Sequence, residues 1–193
     1  MPPRIVAICG RVGSGKSTLC EMLQEERFPV IHVSIANPLK DEVCAAVGIT
    51  REYMEEQKNI CRPLLIAWTE FRRFHDADYW VKQVLPVIDI ALRRPAAVVL
   101  IDDARWLNDA VMIKNAGAYL IYLDCPVADS IQYMQDKGLF GPEAASIAKS
   151  PSETTMGKHL DMFDLVIDAP RSKPLNETLN IITAHLEVAG IFD

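Results

Sequence analysis

Apolar and polar positions along the chain fall into two alternating patterns. Short apolar runs rich in Val and Ile occupy Ile5–Cys9, Val30–Ile35, Ala97–Asp102, Ala118–Asp124 and Leu165–Asp168. Runs of this length without polar alternation predict strands buried on both faces, as in a parallel sheet. Between them, apolar residues recur every three or four positions. This spacing predicts helices over Lys16–Glu26, Pro38–Val47, Arg62–Phe74, Tyr79–Leu92, Leu107–Asn115, Ala128–Asp136 and Leu175–Val188. In the last of these, Leu175, Leu179, Ile182 and Leu186 share one face, and Gly190 is placed to cap it. Pro86 falls inside the fourth helix and predicts a kink or break there.

Strands alternating with helices imply an α/β fold of three layers, helices on both faces of a mainly parallel five-stranded sheet. No linker or repeat divides the chain, so residues 1–193 read as a single domain. Helices accumulate without a strand at about 38–94 and again at about 126–162. Both stretches read as insertions at the carboxyl ends of the strands, where open α/β sheets bind ligands.

Composition narrows the range of partners. The chain of 193 residues is 50% hydrophobic and 24% charged, an ordinary balance for one domain with its own core. A net charge of -6 argues against a polymeric nucleic acid partner, which calls for a basic surface, but it leaves small anionic ligands open. No apolar run approaches the roughly 18 residues of a bilayer span, so no membrane partner is expected. The N-terminal residues lack the apolar stretch and cleavage site of a signal peptide. Cys9, Cys20, Cys44, Cys61 and Cys125 form no CxxC pair, which predicts reduced, mostly buried thiols in a cytoplasmic protein.

The first strand runs straight into Gly-Arg-Val-Gly-Ser-Gly-Lys-Ser, residues 10–17, and the first helix opens from it. This is the pattern G-x-x-x-x-G-K-S (Walker A) in its required strand–turn–helix setting. Gly10, Gly13 and Gly15 let the backbone turn tightly. The N–H groups of the loop, with Arg11, Val12, Ser14 and Thr18 alongside, would then cradle the phosphates of ATP. Lys16 would reach the β- and γ-phosphates, and the Ser17 hydroxyl would ligate Mg²⁺. A second acidic group should follow a buried strand, and Asp102 and Asp103 do so. The sequence does not decide which of the two serves the metal. Phosphoryl transfer also needs positive charge, and Arg62, Arg72, Arg73 and Arg105 are the candidates. Arg72 and Arg73 are adjacent on a helix and cannot both point the same way. Most of the aromatics among them read as core, and His75 and His159 are given no chemistry.

Taken in order, four segments resemble the deoxynucleoside monophosphate kinases of bacteriophages, a branch of the P-loop nucleoside monophosphate kinases. They are GRVGSGKST, SIANPLKDEV (Ser34–Val43), RPLLIAWTEFRRFHDADYWV (Arg62–Val81) and IDDARWLNDAVMIKNAG (Ile101–Gly117). A weaker likeness lies in Pro-Ser-Glu at 151–153. The resemblance implies transfer of the ATP γ-phosphate to a (deoxy)nucleoside 5′-monophosphate, with 38–94 binding the acceptor and 126–162 acting as a lid. It implies Lys16, Arg73, Asp103 and Arg105 as catalytic residues. It places Ser34, Lys40, Arg62, Arg72, Trp80 and Glu153 on the substrate together with Arg73, Asp103 and Arg105. Ser17 with Asp102 or Asp103 would hold Mg²⁺. The location implied is the cytoplasm, that of the host if the chain is viral, and a homodimer is compatible with it. Two departures stand out. A tryptophan, Trp68, replaces the family's glycine before Thr69, and the stretch 126–162 contains no arginine. Two alternatives therefore accompany this reading. One is a P-loop kinase of another phosphorylated metabolite, similar to the phosphomevalonate kinases, and the other is a nucleotide-binding module without catalysis.

Overall fold

The computed structural model describes residues 4–26 and 29–192. Five strands form one sheet: β1 (Ile5–Gly10), β2 (Val30–His32), β3 (Val98–Ile101), β4 (Ala118–Asp124) and β5 (Leu165–Asp168). Their order is β2-β3-β1-β4-β5 and every pairing is parallel, so the sheet is wholly parallel. The chain departs from β1 toward opposite edges of the sheet, which places the end of β1 at the topological switch point.

The helices are α1 (Lys16–Glu26), α2 (Ala36–Val47), α3 (Arg51–Glu56), α4 (Lys58–His75), α5 (Tyr79–Ala91), α6 (Leu107–Asn115), α7 (Val127–Asp136), α8 (Gly141–Ala148), α9 (Pro151–Thr154) and α10 (Leu175–Val188). Alternation along β1 explains the layers. Ile5, Ala7 and Cys9 join α5 and α6 through Val81, Val84, Ile88, Ala110 and Ile113. Val6 and Ile8 join α1 and α10 through Leu19, Leu23, Leu179, Ile182 and Leu186 on the other face. Gly190 lies at φ 69°, and the Ile191 N–H donates to the Leu186 carbonyl, the glycine-dependent helix ending its position predicted.

The 38–94 stretch divides in two. Helix α5 covers the sheet, whereas α2, α3 and α4 pack on one another around Val43, Cys44, Met54 and Cys61. Of the kink or break expected at Pro86, there is no break: helix α5 runs from Tyr79 to Ala91 with Pro86 inside it. Both Pro86 and Lys82 face outward, so water can serve the Lys82 carbonyl that lacks a helical donor. The 126–162 stretch forms its own cluster, Met134, Ala144 and Ala148, with Val12 of the glycine loop packed against it. The five cysteines are free and buried. Among the described residues, no helix is long and apolar enough to cross a membrane.

Candidate active site

The turn after β1 needs its glycines for two separate reasons. Gly13 and Gly15 have φ of 80° and 88°, a left-handed region costly for other residues. Their faces are also occupied. A Cβ on Gly13 would lie 2.7 Å from Tyr133 of α7, and one on Gly15 would lie 2.6 Å from Leu175 of α10. Replacing Gly13 by alanine should lower the unfolding free energy by roughly 2 kcal/mol or more. Adding Tyr133→Ala removes the ring but keeps the Tyr133 Cβ, itself 2.7 Å away, so only the ring's share of the steric cost should be recovered and the backbone penalty should remain. Denaturant unfolding of the two variants separates these contributions.

Within the loop, the Lys16 ammonium donates to the Gly10 carbonyl at 2.8 Å and the Arg11 carbonyl at 2.7 Å. Burial, and then the positive charge of Arg105, push its pKa down to about 8. The first backbone N–H groups of α1, which opens from the same loop, have no partners within the helix and suit an anion.

Asp102 follows β3, and parallel register sets it beside the end of β2. Its Oδ1 lies 2.7 Å from His32 Nε2, and it also accepts the Ser17 hydroxyl proton. Burial pushes the Asp102 carboxyl up, but the hydrogen bonds from His32 and Ser17 outweigh it and hold the group below its ordinary value. A serine hydroxyl and an ionised carboxylate are hard oxygen donors, so this pair fits Mg²⁺. Asp103 is turned elsewhere. It accepts the Ser34 hydroxyl at 2.5 Å and the N–H groups of Ile35 and Ala36 at 2.9 Å each. This use of Asp103 also explains why β2 stops at His32 instead of reaching Ile35. The backbone at 35 and 36 turns to the carboxylate and opens α2.

The two adjacent arginines of α4 diverge. Arg73 donates to Asp109 at 3.0 Å and to Asn108 at 2.7 Å, and its guanidinium sits 4.6 Å from the centre of the Trp106 ring. Arg72 instead donates to Glu42, which also accepts from Trp68 and Tyr79. The Trp68 indole, standing where the resembled family has glycine, thus belongs to a clamp joining α2, α4 and α5. Arg105 donates to Glu153 at 3.1 Å.

Of the remaining expected residues, Lys40, Arg62 and Trp80 fall outside this group. Lys40 pairs with Glu55, and Arg62 is exposed on α4. Trp80 was expected on the acceptor, but it is buried in the sheet-facing core, stacked edge-on against Tyr79. Apolar burial under α5 takes the whole ring, and its N–H finds no partner among the described residues. Glu153, also expected on the substrate, lies buried against the loop backbone, where its Oε2 accepts the Val12 N–H at 2.7 Å. Ser130 donates to the Val12 carbonyl at 2.6 Å, and Arg11 to the Ala148 carbonyl at 3.2 Å. The 126–162 insertion is thereby docked on the loop's outer edge.

Sequence reasoning missed His32, Trp106, Asn108, Asp109 and Ser130. Asp109 carried a signal, an acid on a helix face shared with Ala110 and Ile113. His32 carried none, because its role depends on strand register.

A wholly parallel three-layer sheet with this loop at its switch point defines a P-loop nucleotide-binding protein. A family model described as AAA domain matches residues 1–123, and the chain belongs to that family. It is 29% identical over 149 residues to a protein of Acanthamoeba polyphaga mimivirus named "Putative deoxynucleotide monophosphate kinase", covering 63% of this chain and 74% of the relative. Two solved structures share the fold. TT1252 from Thermus thermophilus has a TM-score of 0.57 at 17% identity, with 97% of this chain and 98% of that one covered. The dephospho-CoA kinase from Campylobacter jejuni has a TM-score of 0.55 at 13% identity, with 96% and 97% covered.

Proposed function

We propose that the protein transfers the γ-phosphoryl group of ATP to a (deoxy)nucleoside 5′-monophosphate. One observation carries the reading. The eight residues Asp102–Asp109 serve three places together: Asp102 meets Ser17, Arg105 acts on Lys16, and Trp106, Asn108 and Asp109 hold Arg73. A nucleotide-binding module without an acceptor has no need of the third. The name of the mimivirus relative agrees with this acceptor class.

In the proposed reaction, an acceptor phosphate oxygen bonds to the γ-phosphorus while the bond from that phosphorus to the β–γ bridging oxygen breaks. ADP leaves with the electron pair. A phosphate monoanion or dianion is already nucleophilic, so no general base is required, and positioning and charge supply the catalysis. Lys16 follows the phosphates through the transfer, and Arg73 grips the acceptor phosphate. Mg²⁺, held through Ser17 and Asp102, would neutralise charge on the ATP phosphates.

The reading is tested by ADP release from Mg²⁺-ATP with a panel of ribo- and deoxynucleoside monophosphates, mevalonate phosphate and a control without acceptor. Strong stimulation by one or a few monophosphates is the expected result. Stimulation by mevalonate phosphate alone would move the acceptor to another metabolite class. ADP release that no acceptor stimulates, beside tight ATP binding, would leave a binding module.

A further inference from the structure

A triphosphate at this loop needs cationic groups besides Lys16. The insertion docked on the loop, 126–162, offers only Lys137, Lys149 and Lys158 and no arginine. The loop's own Arg11 is turned to the Ala148 carbonyl, and a second guanidinium comes from another element. Arg105 leaves the turn between β3 and α6, and its side chain is 56% exposed. An exposed arginine is ordinarily free to take many rotamers, and holding it costs side-chain entropy.

Glu153 restrains it. This carboxylate is only 4% exposed, and its two oxygens go to two different elements. Oε2 accepts the Val12 N–H of the glycine loop at 2.7 Å, and Oε1 accepts from Arg105 Nη1 at 3.1 Å. Burying a carboxylate is costly unless it is paired and hydrogen-bonded, and here both conditions are met by the loop and by Arg105. Arg105 and Glu153 both lie close enough to Lys16 for their charges to act on its ammonium.

We infer that Glu153 is a positioning residue that ties Arg105 to the glycine loop, so that Arg105 meets the γ-phosphoryl oxygens in place of a guanidinium from the insertion. The inference rests on the phosphoryl-transfer reading above. It assigns Glu153 to the protein's own scaffold and not to the acceptor. It also explains why an arginine-free insertion is compatible with catalysis. The insertion then contributes through the Glu153 carboxylate, which holds a guanidinium from elsewhere, and needs no cation of its own.

The test uses the full chain with Glu153→Gln, Arg105→Met and the double substitution. Glutamine retains a carbonyl for the Val12 N–H but removes the charge facing Arg105. Three readouts are taken: thermal midpoint, turnover with the best acceptor, and the affinities for ATP and ADP from a fluorescent-analogue competition. Each single substitution should lower kcat about tenfold, the scale of one charge-assisted hydrogen bond, with little change in acceptor KM. Each should also shrink the preference for ATP over ADP, and the double substitution should be no worse than Arg105→Met. Independent, multiplying effects would overturn the inference. A lowered midpoint for Glu153→Gln with kcat intact would do the same. Arg105→Met removes an exposed side chain and should fold, so an unchanged ATP-over-ADP preference in it is decisive by itself. That preference needs no acceptor. Coupling seen there in a protein that no acceptor stimulates would sustain the role of Glu153 while removing the kinase reading.

Discussion

Replacing Lys16 by methionine should leave a folded protein that binds nucleotide weakly and transfers phosphate about a thousandfold more slowly, the scale of losing one preorganised charge donor. Methionine keeps most of the length of the side chain and of its packing among the loop residues. It removes the group that donates to the Gly10 and Arg11 carbonyls. Gly10, Arg11 and Lys16 are all partly exposed, so water can replace the ammonium at those carbonyls. Methionine also relieves a strain on the folded state. Burial and the charge of Arg105 already disfavour the Lys16 ammonium, as its lowered pKa records. The thermal midpoint should therefore change little or rise, while single-turnover transfer from γ-labelled ATP collapses. A variant that keeps a tenth or more of its rate would remove Lys16 from the chemistry.

Arginine 73 should behave differently, because it carries both a structural and a functional load. Asp109 is 3% exposed and Arg73 11% exposed, so Arg73→Met leaves a buried carboxylate without its cation. That should cost about 3 kcal/mol or more of stability. Adding Asp109→Asn should restore most of it, because a neutral amide needs no counter-charge. Acceptor binding should not return. The Kd or KM for the monophosphate should rise about a hundredfold in both variants, as expected for losing one bidentate arginine–phosphate contact, while ATP affinity holds. The pH dependence has a definite sign. Burial already raises the Asp109 carboxyl above its ordinary value against the pull of Arg73. Without Arg73 it rises further, so the stability deficit of Arg73→Met should narrow on acidification, when Asp109 takes up a proton. Recovery of acceptor affinity in the double variant would show that Arg73 only holds Asp109.

All five strands and the seven longer helices were legible because each strand is a continuous apolar run and each helix a local apolar period. The three missed helices, α3, α8 and α9, are short. Residues such as Glu52, Glu55 and Glu56 give α3 no period of its own, and its one buried residue, Met54, acts through α2 and α4. The glycine loop was readable because its working parts are consecutive. The choice between Asp102 and Asp103 was not. It depends on which carboxylate the β2–β3 register turns toward Ser17 and which the α2 N-terminus takes. The two roles of Glu153 were hidden for the same reason, since Val12 and Arg105 lie 141 and 48 residues away in sequence.

The buried cysteines have a practical consequence. Burial pushes the Cys9 thiol up to about 12 and the Cys125 thiol to about 11, so neither forms the thiolate that reacts with alkylating probes near neutral pH. The other three are buried as well. The native chain is thus a nearly silent background for thiol labelling. A single Phe140→Cys substitution, at a residue 73% exposed on the insertion, would accept one dye or spin label. Paired with a second introduced thiol on α10, it makes the distance between insertion and core directly readable with and without nucleotide.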